Sequence, residues 1–336
     1  MNRATSAAGG GPRPAVSAIL TNHNYGHFVA TALDSVLAQD YDGPVEIIVV
    51  DDGSTDGSMD ALLSYGDRVA IIGQDNRGQL LALREGMARA RGEILCFLDA
   101  DDAWTPDRVA RTVAAFATPG VRWVAHGLRI ADANLEPNGP AVPPAGRMGR
   151  LPGDPLLFLE RRAGTATSAL AVRADLAREL VAAVDHAGRE YAGMLRHDAD
   201  RILLALVGVA RSPGWQLADP LALYRRHAGQ QFAGTERRIA MLERQVEVDG
   251  VVAELMSRSL GRRLVPTALY RHRLVIAGLT GAAGRPRLLL AGLAAALRLL
   301  PRHPLLAGRQ ALSLLAAAVA PRAWYRRMAA GQGLES

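Results

Sequence analysis

The stretch Ile94-Leu95-Cys96-Phe97-Leu98-Asp99-Ala100-Asp101-Asp102 decides how this chain is read. Five consecutive apolar residues fit a central strand covered on both faces, the kind found in a parallel sheet. Three carboxylates at its C-terminal end then lie where an open α/β sheet binds its ligands. Carboxylates at such spacing repel, and a bound divalent cation lets all of them stay ionised. Hard oxygen ligands favour Mg²⁺ or Mn²⁺ over Zn²⁺, so Asp99, Asp101 and Asp102 are the candidate metal ligands. The competing reading is an acidic helix start, because Thr105-Pro106-Asp107 follows directly.

Outward from this strand the chain alternates between strand and helix patterns. Residues 16–20 and 45–50 are apolar strands, and residues 28–39 between them carry helical spacing through Phe28, Ala32, Val36 and Leu37. Asp51-Asp52-Gly53-Ser54-Thr55-Asp56-Gly57 breaks the chain and opens a helix toward Leu62 and Leu63. A third strand at 69–72 and a helix at 79–89 lead into the strand at 94–98. Such alternation predicts a mainly parallel sheet with right-handed crossovers, whose strand ends share one rim. Asn22, His23 and Asn24 follow the first strand on that rim, and Asp51 and Asp52 follow the second. A loop of Gly and hydroxyl residues at a helix start offers N–H groups to phosphate or sugar oxygens, and Asp accepts from ribose hydroxyls or a base N–H.

The 336 residues contain one cysteine, Cys96, which excludes an internal disulfide framework. Residues 1–14 are rich in Gly, Ala and Pro, lack the apolar core of a signal peptide, and read as a disordered tail of a cytoplasmic protein. The net charge of +6 is unevenly spread: from Leu255 onward thirteen Arg face a single acid, Glu335. That region reads as Ala/Leu-rich helices at 264–279, 288–300 and 305–319, each shorter than the roughly 20 apolar residues that span a bilayer. Apolar faces with Arg at the ends suit an anionic membrane surface, here the inner face of a membrane. A helical subdomain is the alternative, and nucleic acid is not an expected partner.

Several spaced segments between residues 16 and 107 resemble the nucleotide-sugar-binding half of family 2 glycosyltransferases. They are Asn22-His23-Asn24-Tyr25-Gly26, Ser35-Val36-Leu37-Ala38-Gln39, Asp51 to Asp56, Asn76-Arg77-Gly78-Gln79, Ala90-Arg91-Gly92-Glu93, and Phe97 to Asp102 with Trp104 and Pro106. The resemblance implies the GT-A fold, Rossmann-like, with a C-terminal α-helical extension. Its expected parts are a catalytic domain over 15–232, divided into a nucleotide-sugar half at 15–107 and an acceptor half at 108–232, then an Arg-rich helical region at 233–336. It implies an inverting, metal-dependent transfer from a nucleoside diphosphate sugar, a UDP-sugar foremost, to a glycan or lipid-linked acceptor in cell-envelope polysaccharide or glycolipid synthesis.

Residue by residue, Asn22 with Asn24, Asp51, Asp52, Ser54 and Asn76 falls to the nucleoside, and Asp99 and Asp101 fall on the DXD pattern for ribose and the metal-bridged diphosphate. Two departures stand out. Thr21 replaces a common Pro, and Ala82-Leu83-Arg84 stands where the family often has Ala-Arg-Asn, so Arg84 is the displaced candidate for the nucleotide contact. His197-Asp198-Ala199-Asp200-Arg201 resembles the family's Glu-Asp element at a helix start, which makes Asp198 the candidate general base and Asp200 a cap or salt-bridge residue. Tyr224-Arg225-Arg226-His227 resembles the Tyr-Arg-x-His segment, offering His227 to the diphosphate and Arg225 or Arg226 to phosphate. Residues 165–168 are candidates for the acceptor cleft, and 137–155, rich in Pro and Gly, reads as a loop. A sugar nucleotidyltransferase, or a non-catalytic nucleotide-sugar or membrane-binding module, would use the same scaffold. The first calls for a basic triphosphate loop after the first strand, and residues 22–26 contain no Lys or Arg.

Overall fold

Strand β1 (Val16–Asn22) is buried along its whole length, which is what a continuous apolar run requires when helices cover both faces of a sheet. The computed structural model describes residues 12–159, 164, 166–191, 198–227 and 235–261. After β1 the chain forms α1 (Gly26–Leu37), β2 (Val45–Asp52), α2 (Ser58–Leu63), β3 (Ala70–Gln74), α3 (Gln79–Arg89) and β4 (Ile94–Asp99). Strands β1, β2, β3 and β4 pair in parallel in the order β3-β2-β1-β4, so the expected alternation holds over this half. The register sets Asn22 beside Asp51 and Thr21 beside Asp99. Because all four strands run the same way, their C-terminal residues emerge on one edge.

The next stretch forms β5 (Ala103–Trp104), α4 (Arg108–Phe116), β6 (Trp123–Ala131), β7 (Pro137–Val142), β8 (Gly149–Leu151) and α5 (Pro155–Leu159). It continues with β9 (Leu170–Arg173), α6 (Ala174–Tyr191), α7 (Ala199–Val209), β10 (Gly214–Arg225) and α8 (Thr235–Leu260). The sheet is mixed where a mainly parallel one was expected. Strand β9 runs antiparallel to both β4 and β6, while β6 and β10 are parallel to each other. Residues 137–155 are also more ordered in pattern than a loop, since β7 pairs with β6 and β8 with β10. Proline is admissible there because β7 pairs with β6 alone and its residues are mostly exposed, so Pro137 and Pro140 forfeit no central ladder bond.

The chain divides into two compact units. The first holds the sheet with α1, α2, α3, α4, α6 and the start of α7. Its core includes Leu20, Leu33, Val49, Cys96, Leu98 and Phe116. Arg108, fully buried, lies 3.9 Å from the Trp104 ring and donates to His126 Nε2 at 3.2 Å and to the Leu170 carbonyl at 3.1 Å. Burial and the Arg108 charge push the His126 pKa down to about 3, so this histidine is a neutral acceptor. Trp104, 3% exposed, is thus a core residue. The second unit takes residues 155–162, 204–209 and everything from His227 onward, and its described part is helical. There Gly208 faces the Phe158 ring, and Val252 and Met256 of α8 are buried. The expected helices at 264–279, 288–300 and 305–319 lie outside the described residues. Among the described residues no helix is long and apolar enough to cross a membrane.

Close helix-on-sheet packing rests on Gly86 of α3, where an added Cβ would stand 2.4 Å from Ile19 Cγ2 on β1. Gly86→Ala is expected to destabilise the first unit by about 1–3 kcal/mol through overpacking, read as a lowered urea midpoint with an unchanged slope.

Candidate active site

Two groups of side chains build the rim. On the β1–β2 side, Asn22 Nδ2 donates to Asp51 Oδ1 at 2.7 Å and to Ser54 Oγ at 3.0 Å. Ser54 donates its hydroxyl to Asp51 Oδ1 at 2.6 Å and its N–H to Asp51 Oδ2 at 3.0 Å. Asn24 joins them, its N–H on Ser54 Oγ at 2.9 Å and its Oδ1 accepting from the Thr55 N–H at 2.7 Å. His23 Nε2 lies 3.0 Å from Asn76 Nδ2 and 3.2 Å from Asn24 Nδ2. Asn22, Asn24, Asp51, Ser54 and Asn76 are therefore brought together, with His23 as the link to Asn76.

Asp52 is also at this edge but serves the backbone. It accepts from Gln74 Nε2 at 2.7 Å, Arg77 N–H at 2.8 Å and Gly78 N–H at 2.8 Å, and it is 4% exposed. It fixes the loop between β3 and α3 at a point where Gly78 adopts φ +94°, a left-handed conformation suited to glycine. Both its oxygens are thus engaged by protein donors. Arg84 is corrected: its guanidinium grips Asp185 of α6 through Nε at 2.8 Å and Nη2 at 2.9 Å, with Glu85 on Nη1. This bidentate pair holds the Asp185 carboxyl below the usual range and joins α3 to α6, leaving Arg84 no part in the rim.

On the β4 side, Asp99 is half-buried and short of donors. Gln79 Nε2 reaches its Oδ1 at 2.6 Å, and Thr21 Oγ1 stands at 3.5 Å from the same oxygen. Among the described residues none donates to Asp99 Oδ2. Burial, then the charges of Asp101 and Asp200, push the Asp99 pKa up to about 8. Burial and then Asp101 and Asp99 raise Asp102 as well. Tyr25 and Tyr224 face the same negative field, and burial together with these carboxylates moves Tyr25 to about 12 and Tyr224 further still.

Asp102 is only 1% exposed, with Oδ2 accepting from Ser168 Oγ at 2.6 Å and Oδ1 from the Arg225 N–H at 3.0 Å. Among the described residues no three His, Cys, Asp or Glu side chains gather into a group able to hold a metal ion. The expected set of three ligands is thus narrowed: Asp102 is an interior brace, whereas Asp99 and Asp101 are both partly exposed. This pair suits a cation of the Mg²⁺ class, which takes one or two carboxylates and completes its shell with phosphate oxygens and water. The open Oδ2 of Asp99 and its raised proton affinity are the features such a cation would satisfy.

Asp198 precedes α7 at φ +52°, and its carbonyl accepts from the Ile202 N–H at 3.2 Å. Asp200, in the first turn of α7, lies near enough to Asp99 and Tyr224 to raise both. The sequence alone made Asp200 a cap or salt-bridge residue. His197 lies outside the described residues. His227 follows β10 and opens the second unit. Arg225 is 3% exposed and spends its guanidinium on the carbonyls of Asp101 and Ala133, so its expected phosphate contact is corrected to a turn-holding role. Two contributors escaped the sequence reading. Gln79, inside a quoted motif, is the strong donor to Asp99, and Ser168, read as cleft lining, is fully buried against the acidic turn.

A parallel sheet whose edge gathers Asn22, Asp51, Asp99 and Asp101 coincides with what comparison with known proteins gives. The family model described as glycosyl transferase family 2 matches residues 17–160. Over this stretch the chain is similar to glycosyl transferase family 2. An uncharacterized glycosyltransferase of Nostoc sp. is 43% identical over 123 residues, covering 35% of this chain and 38% of its own length. TuaG of Bacillus subtilis, named for teichuronic acid biosynthesis, is 34% identical over 103 residues, covering 30% of this chain and 40% of its own. The matches thus span well under half the length of these relatives. A mannosyltransferase from Pyrobaculum calidifontis, solved with GDP-Man and Mn²⁺, superposes with a TM-score of 0.53 at 19% identity, over 96% of this chain and 85% of its own. The fold is GT-A.

The acidic turn also makes stability depend on pH. The Asp99 carboxyl takes up a proton on folding, because its native pKa of about 8 lies above the ordinary carboxylate range. Stability is then full below about pH 4 for this group and falls as pH rises toward 8. In EDTA, urea midpoints should drop between pH 5 and pH 8.5, and Asp99→Asn should flatten that drop and raise the midpoint at pH 8.5.

Proposed function

We propose that this chain transfers a sugar from a nucleoside diphosphate to an acceptor hydroxyl, with inversion and with the help of Mg²⁺ or Mn²⁺. The observation that carries the reading is the junction on one sheet edge of a hydrogen-bonded nucleoside group, Asn22 to Ser54, with a carboxylate pair that lacks donors at Asp99 Oδ2. A cation held by Asp99 and Asp101 would neutralise charge on the leaving diphosphate. Asn22, Asn24, Ser54 and Asn76, backed by Asp51, bind and orient the nucleoside. Tyr25 and Tyr224 form apolar walls beside the carboxylates and limit water there. The acceptor oxygen bonds to the anomeric carbon from the side opposite the diphosphate, whose bond to that carbon breaks. Asp198 takes the hydroxyl proton, and Asp200 keeps the start of α7 negative toward the same rim.

The name of the Bacillus relative TuaG supports an acceptor in cell-surface polysaccharide, and the GDP-Man bound by the Pyrobaculum neighbour supports a nucleoside diphosphate sugar as donor. The Arg-rich segment after Leu255 supports operation at an anionic membrane surface, where a lipid-linked acceptor would reside.

Isothermal titration with UDP and GDP, in Mn²⁺ and in EDTA, combined with nucleoside diphosphate release from a panel of sugar donors, tests this. Mn²⁺ should tighten one nucleotide at least about tenfold, and EDTA or Asp101→Ala should abolish release. Asp198→Asn should keep donor affinity while lowering transfer by about 10²–10⁴. Full activity in EDTA would remove the cation from the reading, and nucleotide binding without turnover on any acceptor would replace an enzyme by a binding module.

A further inference from the structure

Ser168 sits in the short 3-10 turn Thr167–Ala169 ahead of β9 and has no exposed surface. Its hydroxyl makes two bonds to the acidic turn at once. It accepts from the Asp99 N–H at 3.1 Å and donates to Asp102 Oδ2 at 2.6 Å. Its carbonyl accepts the indole N–H of Trp104 at 3.2 Å. From the other side, the Arg225 N–H holds Asp102 Oδ1 at 3.0 Å and Arg225 Nε holds the Asp101 carbonyl at 2.6 Å. A seven-residue stretch from Asp99 to Thr105 is therefore fastened to β9 through Ser168 and to β10 through Arg225 and through the Thr105 N–H on the Leu221 carbonyl.

Asp102 is 1% exposed with both carboxylate oxygens engaged, and a buried polar network satisfied in this way rigidifies the segments it joins.

We propose that Ser168 and Asp102 form a latch that positions Asp99 and Asp101 for a cation-bound diphosphate. The inference rests on the donor site proposed above. Both members are positioning residues: the hydroxyl fixes the backbone of Asp99, the carboxylate fixes the end of the turn, and neither contacts the ligand. A latch and a ligand role predict opposite orders of damage. Asp102→Asn keeps an oxygen for the Arg225 N–H and presents its amide to Ser168 Oγ, which can turn and accept it, so the geometry survives the loss of charge. Ser168→Ala severs the tie to Asp99 and the tie to Asp102 together.

The test measures affinity for UDP and for GDP by isothermal titration in Mn²⁺ and in EDTA, on the full chain, and takes the ratio of the two dissociation constants. Ser168→Ala should shrink this ratio about tenfold with affinity in EDTA unchanged, Asp102→Asn should stay within about threefold of the parent, and Asp99→Asn should bring the ratio near one. Ser212→Ala, which removes another buried hydroxyl bonded to Arg122, should leave the ratio intact and controls for a buried serine as such. Thermal unfolding reports which variants are folded at the assay temperature. Should Ser168→Ala not fold, Ser168→Cys, similar in shape and a weaker donor, should give an intermediate ratio. The latch is overturned if Asp102→Asn is as damaging as Asp99→Asn, or if the Ser168 variants keep the parent ratio. If the parent protein binds neither nucleotide, or binds one equally in Mn²⁺ and EDTA, the donor-site reading itself fails and the latch falls with it.

Discussion

Electrostatic repulsion among carboxylates on one sheet edge is the constraint around which this unit is organised. Parallel pairing of β2, β1 and β4 brings Asp51, Asp52 and Asp99 out at the same sheet edge, with the end of β1 between them, and the turn after β4 adds Asp101 and Asp102. Three of these five have their oxygens met by local donors: Asp51 by Asn22 and Ser54, Asp52 by Gln74 and two backbone N–H groups, Asp102 by the Ser168 hydroxyl and the Arg225 N–H. Asp99 is left with one strong donor on one oxygen. The edge thus separates carboxylates that stabilise loops from Asp99, whose Oδ2 meets no donor among the described residues, and such an oxygen is where a charged ligand gains most.

Much of the nucleotide-side fold was legible in the sequence because its signals are local. Helix α3 spans Gln79–Arg89 as its spacing indicates, and β1, β2 and β4 extend the expected strands by one or two polar residues at their C-terminal ends. Those extra residues, Thr21 and Asn22, Asp51 and Asp52, and Asp99, form the rim, and propensity reads the Asn and Asp among them as turn formers because these favour local backbone bonds. Tertiary pairing overrides that preference at the sheet edge. The latter half was less legible. Strand β7 carries two prolines and a glycine and is held only by its neighbour β6, so no periodicity announces it. Strand β9 reads as a strand, yet nothing within it encodes its antiparallel insertion between β4 and β6, which depends on residues more than forty positions away.

The site shows the same division. Recognising that Asp51, Asp52, Asp99, Asp101 and Asp102 belong together required only their positions after strands. Assigning them different tasks required knowing the donors, and these come from remote segments: Ser168 lies 66 residues from Asp102, and Arg225 lies 123 residues from it. Arg84 illustrates the converse. Its place beside a family motif suggested a ligand contact, but its helix turns it toward Asp185, 101 residues away, where a bidentate pair satisfies it. A side chain's chemistry is readable in one dimension, whereas its remaining capacity after neighbours have taken their share is a three-dimensional quantity.

This division also explains why the acidic turn combines rigidity with reactivity. A carboxylate that must receive a multiply charged ligand should be fixed in direction yet undersupplied with donors, and no single residue can meet both demands, because the donors that fix it also satisfy it. The chain separates the two functions along four residues. Asp102, buried and fully engaged, anchors the turn; the Asp99 backbone is anchored through its N–H on Ser168, while its outer side-chain oxygen meets no donor among the described residues. Anchoring a residue by its main chain while leaving its side chain wanting is how a folded protein can aim unsatisfied charge without losing the geometry that makes it useful.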